Sequence, residues 1–456
     1  MKFRLLIAIA LLLSGAATAQ DSVMLRKIAD ETMLHGTCYD NLHFLCKKIG
    51  NRISGSKNAE RAVAWGKKAM EEAGADKVTL MPADVPYWRR GKEQLMLKYG
   101  SAEYKKVTAL SLGNSEGTEG KVLDAQVIMV HNFAEFKALK DKDVKGKIVF
   151  FNYRFRQDFI FTFNGYGDAV KYRWASPSVA AQKGAVGVII RSMSTGIDDF
   201  PHTGSMHYND SFRKIPEMSL GNNTADSLEK YCRLGEVIAR MQSECHMMPD
   251  LVHSYNVVGE ITGSEHPERI ITIGGHLDSW DVGEGAQDDG AGCVQAIEVI
   301  RTLKALGIRP KYTIRAVLFM NEENGTRGGQ AYSDSAKARH EHHVLAIETD
   351  AGGFSPRGIG MEMPEDKKAL IREYKNLFLP YGVYDFSIEE GGSDISAIHK
   401  DLNVPIAGLI PDSQRYFDIH HTNNDVFENV NHRELKLGAA VLTQLIYLMS
   451  EHQVFQ

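Results

Sequence analysis

Three near-continuous apolar runs stand in the second half of the chain, at residues 269–275, 312–320 and 344–349. They alternate with helical stretches: residues 289–306 place Cys293, Ala296, Ile297 and Ile300 on one face and stop at Gly307, and residues 434–450 close the chain. A strand without polar alternation is buried on both faces, and strands separated by helices pair in parallel. The predicted fold is therefore α/β: a mostly parallel, mixed sheet with helices on both faces.

Before this half lies a different region. Residues 21–73 carry helical periodicity, broken by the loop 51–56 and stopped at Gly74, and a first β-like run follows at 78–81. A compact β/α unit then reads from the strand at 148–152, the short helix at 177–183 ended by Gly184, and the buried strand at 187–190. It separates two segments that look incomplete alone, so residues 113–251 are read as an inserted domain in a larger one formed by 20–112 and 252–456. No internal repeat or low-complexity tract is visible.

Residues 1–19 have the form of a signal peptide: Lys2 and Arg4, the apolar run 5–13, and the small residues Ala17, Thr18 and Ala19. The run is too short to span a membrane. An exported protein, periplasmic or extracellular, cleaved near Ala19, is the expectation. Without Lys2 and Arg4 the formal net charge of −5 becomes −7, a poor basis for nucleic-acid binding. Cys38, Cys46, Cys232, Cys245 and Cys293 contain no CxxC, which leaves a thiolate zinc site without support. Cys38 with Cys46 and Cys232 with Cys245 are arithmetically possible disulfides, and buried free thiols are equally compatible.

Ligands of open α/β sheets bind beyond the carboxyl ends of the strands. The first run leads into His276, Asp278 and then Asp288 with Asp289, the second into Glu322 and Glu323, the third into Asp350; His420, His421 and Asp425 come later. Each group alone has a bland explanation as a solvated loop or a packed histidine. Together they gather several carboxylates in one crevice, which is costly unless something positive binds there. Nitrogen and oxygen donors without sulfur suit zinc, and two histidines with three carboxylates suit two ions sharing one carboxylate. Gly283, Gly285 and Gly290 would let the backbone fold around the metals, since no P-loop pattern is present.

The stretches GGHLDSWDVGEGAQDDGAG, NEENG, ETDAGG and HHTNND resemble, in order and spacing, the co-catalytic di-zinc aminopeptidase and glutamate carboxypeptidase family. The resemblance covers essentially the whole mature chain. Residues 113–251 look like a protease-associated domain, and their YGDAVKYRWASPSVAAQKGAVGVIIRS and PHTG pieces are most similar to the plasma glutamate carboxypeptidase branch. The resemblance implies a zinc-exopeptidase-like fold and two zinc ions per chain. Asp288 would bridge them, with His276 and Asp350 on one and Glu323 and His421 on the other. Asp278 would accept the second ring N–H of His276, and Glu322 would be the general base; spacing alone does not separate Glu322 from Glu323, or His420 from His421. His420 stands where some relatives carry a Tyr, so a donor role toward the oxyanion is expected of it beside a plain packing role. Gly392, Ser393 and Asp394 resemble the substrate-side loop.

The implied function is a secreted metallo-exopeptidase that hydrolyses short peptides, dipeptides above all, by water activated between the two zinc ions. The alternatives are a broad aminopeptidase with the same site, a glutaminyl-cyclase-like acyltransferase and a non-catalytic binding protein. Short peptides are the expected partners, and the resemblance allows a homodimer. For a substrate carboxylate, Arg191, Arg327 and Arg415 lie near motif segments.

Overall fold

The computed structural model describes residues 2–455, with side chains from Ala19 onward. The signal-peptide reading thus lies almost wholly outside the described side chains; no helix among the described residues is long and apolar enough to cross a membrane. After helices Lys2–His35, Cys38–Phe44 and Lys57–Glu72 come β1 (Lys77–Val85), β2 (Trp88–Arg89), β3 (Glu93–Tyr99), β4 (Lys105–Val107), β5 (Ala109–Ser111), β6 (Leu123–Val130), β7 (Ile148–Phe151), β8 (Gly187–Arg191), β9 (Glu217–Leu220), β10 (Val237–Ser243) and β11 (His246–Met247). The chain returns through β12 (Val252–Ile261), β13 (His266–His276), β14 (Tyr312–Phe319), β15 (His342–Glu348), β16 (Pro356–Glu362) and β17 (Ile406–Pro411).

The larger sheet has seven strands in the order β1-β12-β14-β13-β15-β17-β16. Its centre is parallel, β14 to β13 to β15 to β17, while β1, β12 and β16 join antiparallel at the sides. The apolar runs form this centre because both their faces are covered. Along β14, Ile314, Ala316 and Leu318 enter one core with Ile297 and Leu445, whereas Val317 and Phe319 enter another with Tyr332 and Ile398. A period of two thus feeds helices Ala291–Ala305 and His432–Glu451 on one side, and Arg327–Ala338 and Ser396–Leu402 on the other.

The second sheet has eight strands in the order β4-β3-β10-β6-β7-β8-β9-β5. β2 and β11 pair as a short ribbon where the chain leaves the first sheet and comes back. The unit therefore begins near Trp88 and ends near Met247, which corrects the division at 113 and 251. The reason is pairing: β3 hydrogen-bonds to β10 across more than a hundred residues, from Glu93 opposite Ser243 to Tyr99 opposite Val237. Such short, half-polar strands carry no mark of which sheet they join. All five cysteines are free, so neither arithmetical disulfide forms.

Arg52, in the loop at 51–56, is fully buried. Its guanidinium donates to the carbonyl oxygens of Leu277 (2.5 Å), Glu284 (2.7 Å) and Gly285 (2.9 Å), tying this loop to the glycine-rich turn after β13. We expect R52M to lower unfolding stability by about 4 kcal/mol, because three charge-assisted bonds vanish and their carbonyls lose a donor. Chemical denaturation checks this, and an unchanged midpoint would contradict it.

Candidate metal centre

β13 delivers His276 as its last residue, and Asp350 follows β15 by two positions. Glu322 and Glu323 follow β14 after a turn in which Asn321 has φ 77°. Asp288 comes from the turn ahead of helix Ala291–Ala305, and His421 from the turn after helix Tyr416–Ile419.

These side chains converge on Asp288. Its Oδ1 lies 3.1 Å from His276 Nε2, which is also 3.4 Å from Asp350 Oδ1. Its Oδ2 lies 3.0 Å from His421 Nε2, which is 3.2 Å from Glu323 Oε2. One carboxylate is thereby divided between two half-sites. His420 Nε2 is 3.5 Å from Asp288 Oδ2, and its ring stacks on that of His421 at 3.5 Å between centroids.

The donors fit zinc. Two ligands at about 2.05 Å from one tetrahedral ion stand roughly 3.3 Å apart, close to the separations within each half-site. His276 Nδ1 faces the Asp278 carbonyl oxygen at 3.0 Å, and His421 Nδ1 faces the Thr203 carbonyl oxygen at 3.4 Å. A carbonyl only accepts, so in the neutral His276 ring Nδ1 carries the hydrogen and the Nε2 lone pair points at carboxylates, whereas His421 Nδ1 faces both the Thr203 carbonyl and, at 3.4 Å, the donor Nη1 of Arg173. Asp288 Oδ2 and Asp350 Oδ1 are buried without a hydrogen-bond donor. Lone pairs aimed at lone pairs in a buried site call for cations between them.

The electrostatics agree. Burial, followed by the Asp288 charge, pushes the Glu323 carboxyl up to about 8. Burial also raises Asp350, to about 6, against the pull of His276. Burial disfavours charge on His421, but Glu323 and Asp288 outweigh it and hold the ring at about 10. For His276, Asp350 and Asp288 outweigh burial in the same way, well above the usual imidazole value. Without metal the site keeps protons where a cation would stand.

The neighbouring acids divide the remaining work. Asp289 turns from the centre and accepts from the backbone N–H of His276 (3.0 Å) and Gly292 (2.9 Å). Asp425 accepts from the N–H of Gln287 (2.7 Å) and Asp288 (3.2 Å) and so fixes the bridging residue. Asp278 departs from expectation. Its carboxylate is 3.9 Å from His276 Nδ1 and instead accepts from the N–H of Asn321 (2.7 Å) and Glu322 (3.1 Å). The turn after β14 offers two buried donors that need an acceptor, so the backbone carbonyl of Asp278, not its side chain, serves the imidazole.

Glu322 and Glu323 both line the open cavity over the centre, and of the two it is Glu323 that is held by the Trp280 N–H at 3.2 Å and points at His421. That cavity is about 760 Å³, a small-molecule size. Gly392 and Ser393 line it, but Asp394 does not: it is buried behind the wall, its N–H donating to Glu348 Oε2 at 3.0 Å. The loop bends there because Gly392 has φ 149° and packs against Glu348, which carries Asp394 inward.

What the residue pattern missed is the part played by the inserted unit. Phe163, Tyr166, Arg173 and His207 line the same cavity. Thr203 grips His421 from both sides, its N–H donating to the His421 carbonyl at 2.9 Å and its carbonyl facing Nδ1. His421 has φ 60°, an unfavourable backbone for a residue with a Cβ, and this grip helps to hold it. The signal available was the PHTG stretch, whose Thr203 had no readable partner.

A profile of peptidase family M28 matches residues 256–446. Carboxypeptidase Q of Xenopus laevis is 35% identical over 414 residues, 91% of this chain and 86% of that protein. The crystal structure of a peptidase M28 precursor from Shewanella amazonensis superimposes with a TM-score of 0.88 at 30% identity, over 95% of this chain and 97% of that one. A zinc aminopeptidase from Bacillus subtilis shares the fold at a TM-score of 0.64 and 20% identity, over 90% of this chain and 94% of that one.

Proposed function

Because the chain belongs to peptidase family M28, we propose that this zinc-dependent exopeptidase hydrolyses short peptides, dipeptides first among them, and that His276, Asp288, Asp350, Glu323 and His421 would hold two zinc ions. The observation that carries the reading is the division of the two Asp288 oxygens between His276 with Asp350 and His421 with Glu323. Zinc at such ligands supplies Lewis acidity toward a carbonyl oxygen and lowers the proton affinity of water.

The chain's own residues do the rest. His276, Glu323 and His421 hold position through the backbone contacts described above. Glu322 faces the cavity and takes the proton of the attacking water, then gives it to the leaving amine as the peptide bond breaks. Asp278 fixes the N–H of Glu322 and so the direction of that carboxylate. Gly392 and Ser393 border the substrate, and the unit spanning 88–247 serves as a protease-associated domain that closes one wall. The basic start, apolar run and small residues of 1–19 support export with cleavage near Ala19.

A panel of dipeptides and longer peptides, free or blocked at either end, tests the substrate class. The reading expects efficient cleavage of free dipeptides and about two zinc ions per chain. Preference for long peptides with a free amino end would instead favour an aminopeptidase, and no hydrolysis with zinc bound would reject the enzyme reading. For His420, we expect H420A to lower kcat on a dipeptide by about 100-fold with zinc retained, as for loss of one donor to a developing oxyanion. Unchanged turnover would leave His420 as packing against His421.

A further inference from the structure

We propose that Arg90, at the hinge where the chain enters the inserted unit, is a positioning residue for one half of the metal centre. It sets how tightly Glu323 and His421 hold their zinc ion and leaves the ion at His276 and Asp350 unaffected. The inference rests on the two-zinc reading above and adds to it a residue outside the ligand set. Arg90 directly follows β2, and its side chain is only 10% exposed. Its Nε–H and Nη2–H donate to the two carboxylate oxygens of Asp281, at 2.9 and 2.6 Å. The same guanidinium donates to the Ser111 carbonyl and, at 3.2 Å, to the Thr203 hydroxyl, which itself donates to the Ser111 carbonyl at 3.1 Å. A planar fork fixes the direction as well as the distance of what it binds.

Asp281 and Thr203 each stand one step from the same zinc ligands. Asp281 follows Trp280, whose N–H holds Glu323 Oε1 at 3.2 Å and whose ring stands edge-on to that of His421, 5.8 Å between centroids. Thr203 holds the His421 carbonyl through its N–H and faces Nδ1 with its own carbonyl. One guanidinium thereby spans the catalytic domain and the inserted unit, and it fixes the supports of Glu323 and His421 relative to each other. Trp280 is wedged into the same seam: a Cβ on Gly113 of the inserted unit would fall 1.8 Å from its ring, and its indole meets Trp88 edge-on at 6.2 Å. The other half-site is supported from within the catalytic domain. His276 is held by the Asp278 carbonyl at Nδ1 and by Asp289 at its backbone N–H. Contacts behind a metal ligand change metal affinity by about 10- to 100-fold, and here the seam between the two units supplies them to one ion only.

The test titrates zinc into the full chain against a competing chromophoric chelator and reads both dissociation constants. R90M is expected to weaken one ion by about 30-fold and to leave the other within about threefold of wild type, with R90K in between because an ammonium keeps the charge without the fork. The same titration in two further backgrounds assigns the weakened ion. R90M should lower zinc affinity in D350N, which keeps Glu323 and His421, and leave it unchanged in E323Q, which keeps His276 and Asp350. A merely structural role would loosen both ions together. Equal losses at both ions, unchanged affinities, or a loss confined to the His276 side overturns the proposal. Should R90M fail to fold, R90K and D281N loosen the same contact from either end and decide by the same contrast. If wild type binds fewer than two zinc ions, the two-zinc reading itself falls and this inference with it; two ions without the contrast reject the inference alone.

Discussion

Glu322→Gln is expected to lower kcat on a dipeptide by about 1,000-fold while bound zinc and the thermal midpoint stay at wild-type values. The side chain changes by one atom pair, keeps its volume and loses only the ability to take a proton; general base catalysis of this kind is worth 10²- to 10⁴-fold. Metal content should hold because Glu323, not Glu322, stands 3.2 Å from His421. Folding should hold because the Asp278 carboxylate engages the backbone N–H of Glu322, which the substitution leaves in place. Activity assays, metal analysis and thermal unfolding on one preparation check all three. Full activity would reject Glu322 as the base, and loss of zinc would mean that the two glutamates have exchanged roles.

Removal of zinc by a chelator is expected to abolish activity and to destabilise the fold. At free zinc a thousandfold above its dissociation constant, each ion contributes about 4 kcal/mol to the folded state by mass action. Asp288→Asn should mimic the chelator in both respects, because one substitution weakens both half-sites, and added zinc should rescue the chelated wild type but not the variant. The pH dependence follows from the same groups. In the metal-free protein, protons sit on His421 up to about 10, on Glu323 up to about 8 and on Asp350 up to about 6. Zinc must displace them, so its binding releases protons and its affinity falls as the pH drops from 8 toward 5. Calorimetry in buffers of different ionisation enthalpy measures the release. Zinc affinity independent of pH over that range would contradict the ligand set.

Much of this centre was legible in the order of residues, for a physical reason. Strands buried on both faces must be apolar throughout, so β13, β14 and β15 read as apolar runs, and polar residues at their carboxyl ends stand out against them. His276, Glu322, Glu323 and Asp350 could be picked out on that basis. The limits show in particular side chains. Asp278 and Asp394 sit inside the motifs, yet one serves backbone donors after β14 and the other lies behind the cavity wall. Of the outer strands, only β1 was legible, from the run at 78–81. The centre of the sheet is parallel as expected, but β1, β12 and β16 add antiparallel edges, and β3 belongs to the second sheet through β10.

By itself, the sequence determined the α/β class, the chemistry of the donors and the strand ends that carry them, because burial and periodicity are local properties of a chain. The tertiary structure alone decided which Asp288 oxygen faces which histidine, and that Thr203 and Arg173 reach the centre from the inserted unit more than two hundred residues before His421. Those are contacts between segments far apart in sequence. Hydrogen-bond direction and charge balance across such a gap exist only once the two units have closed on each other.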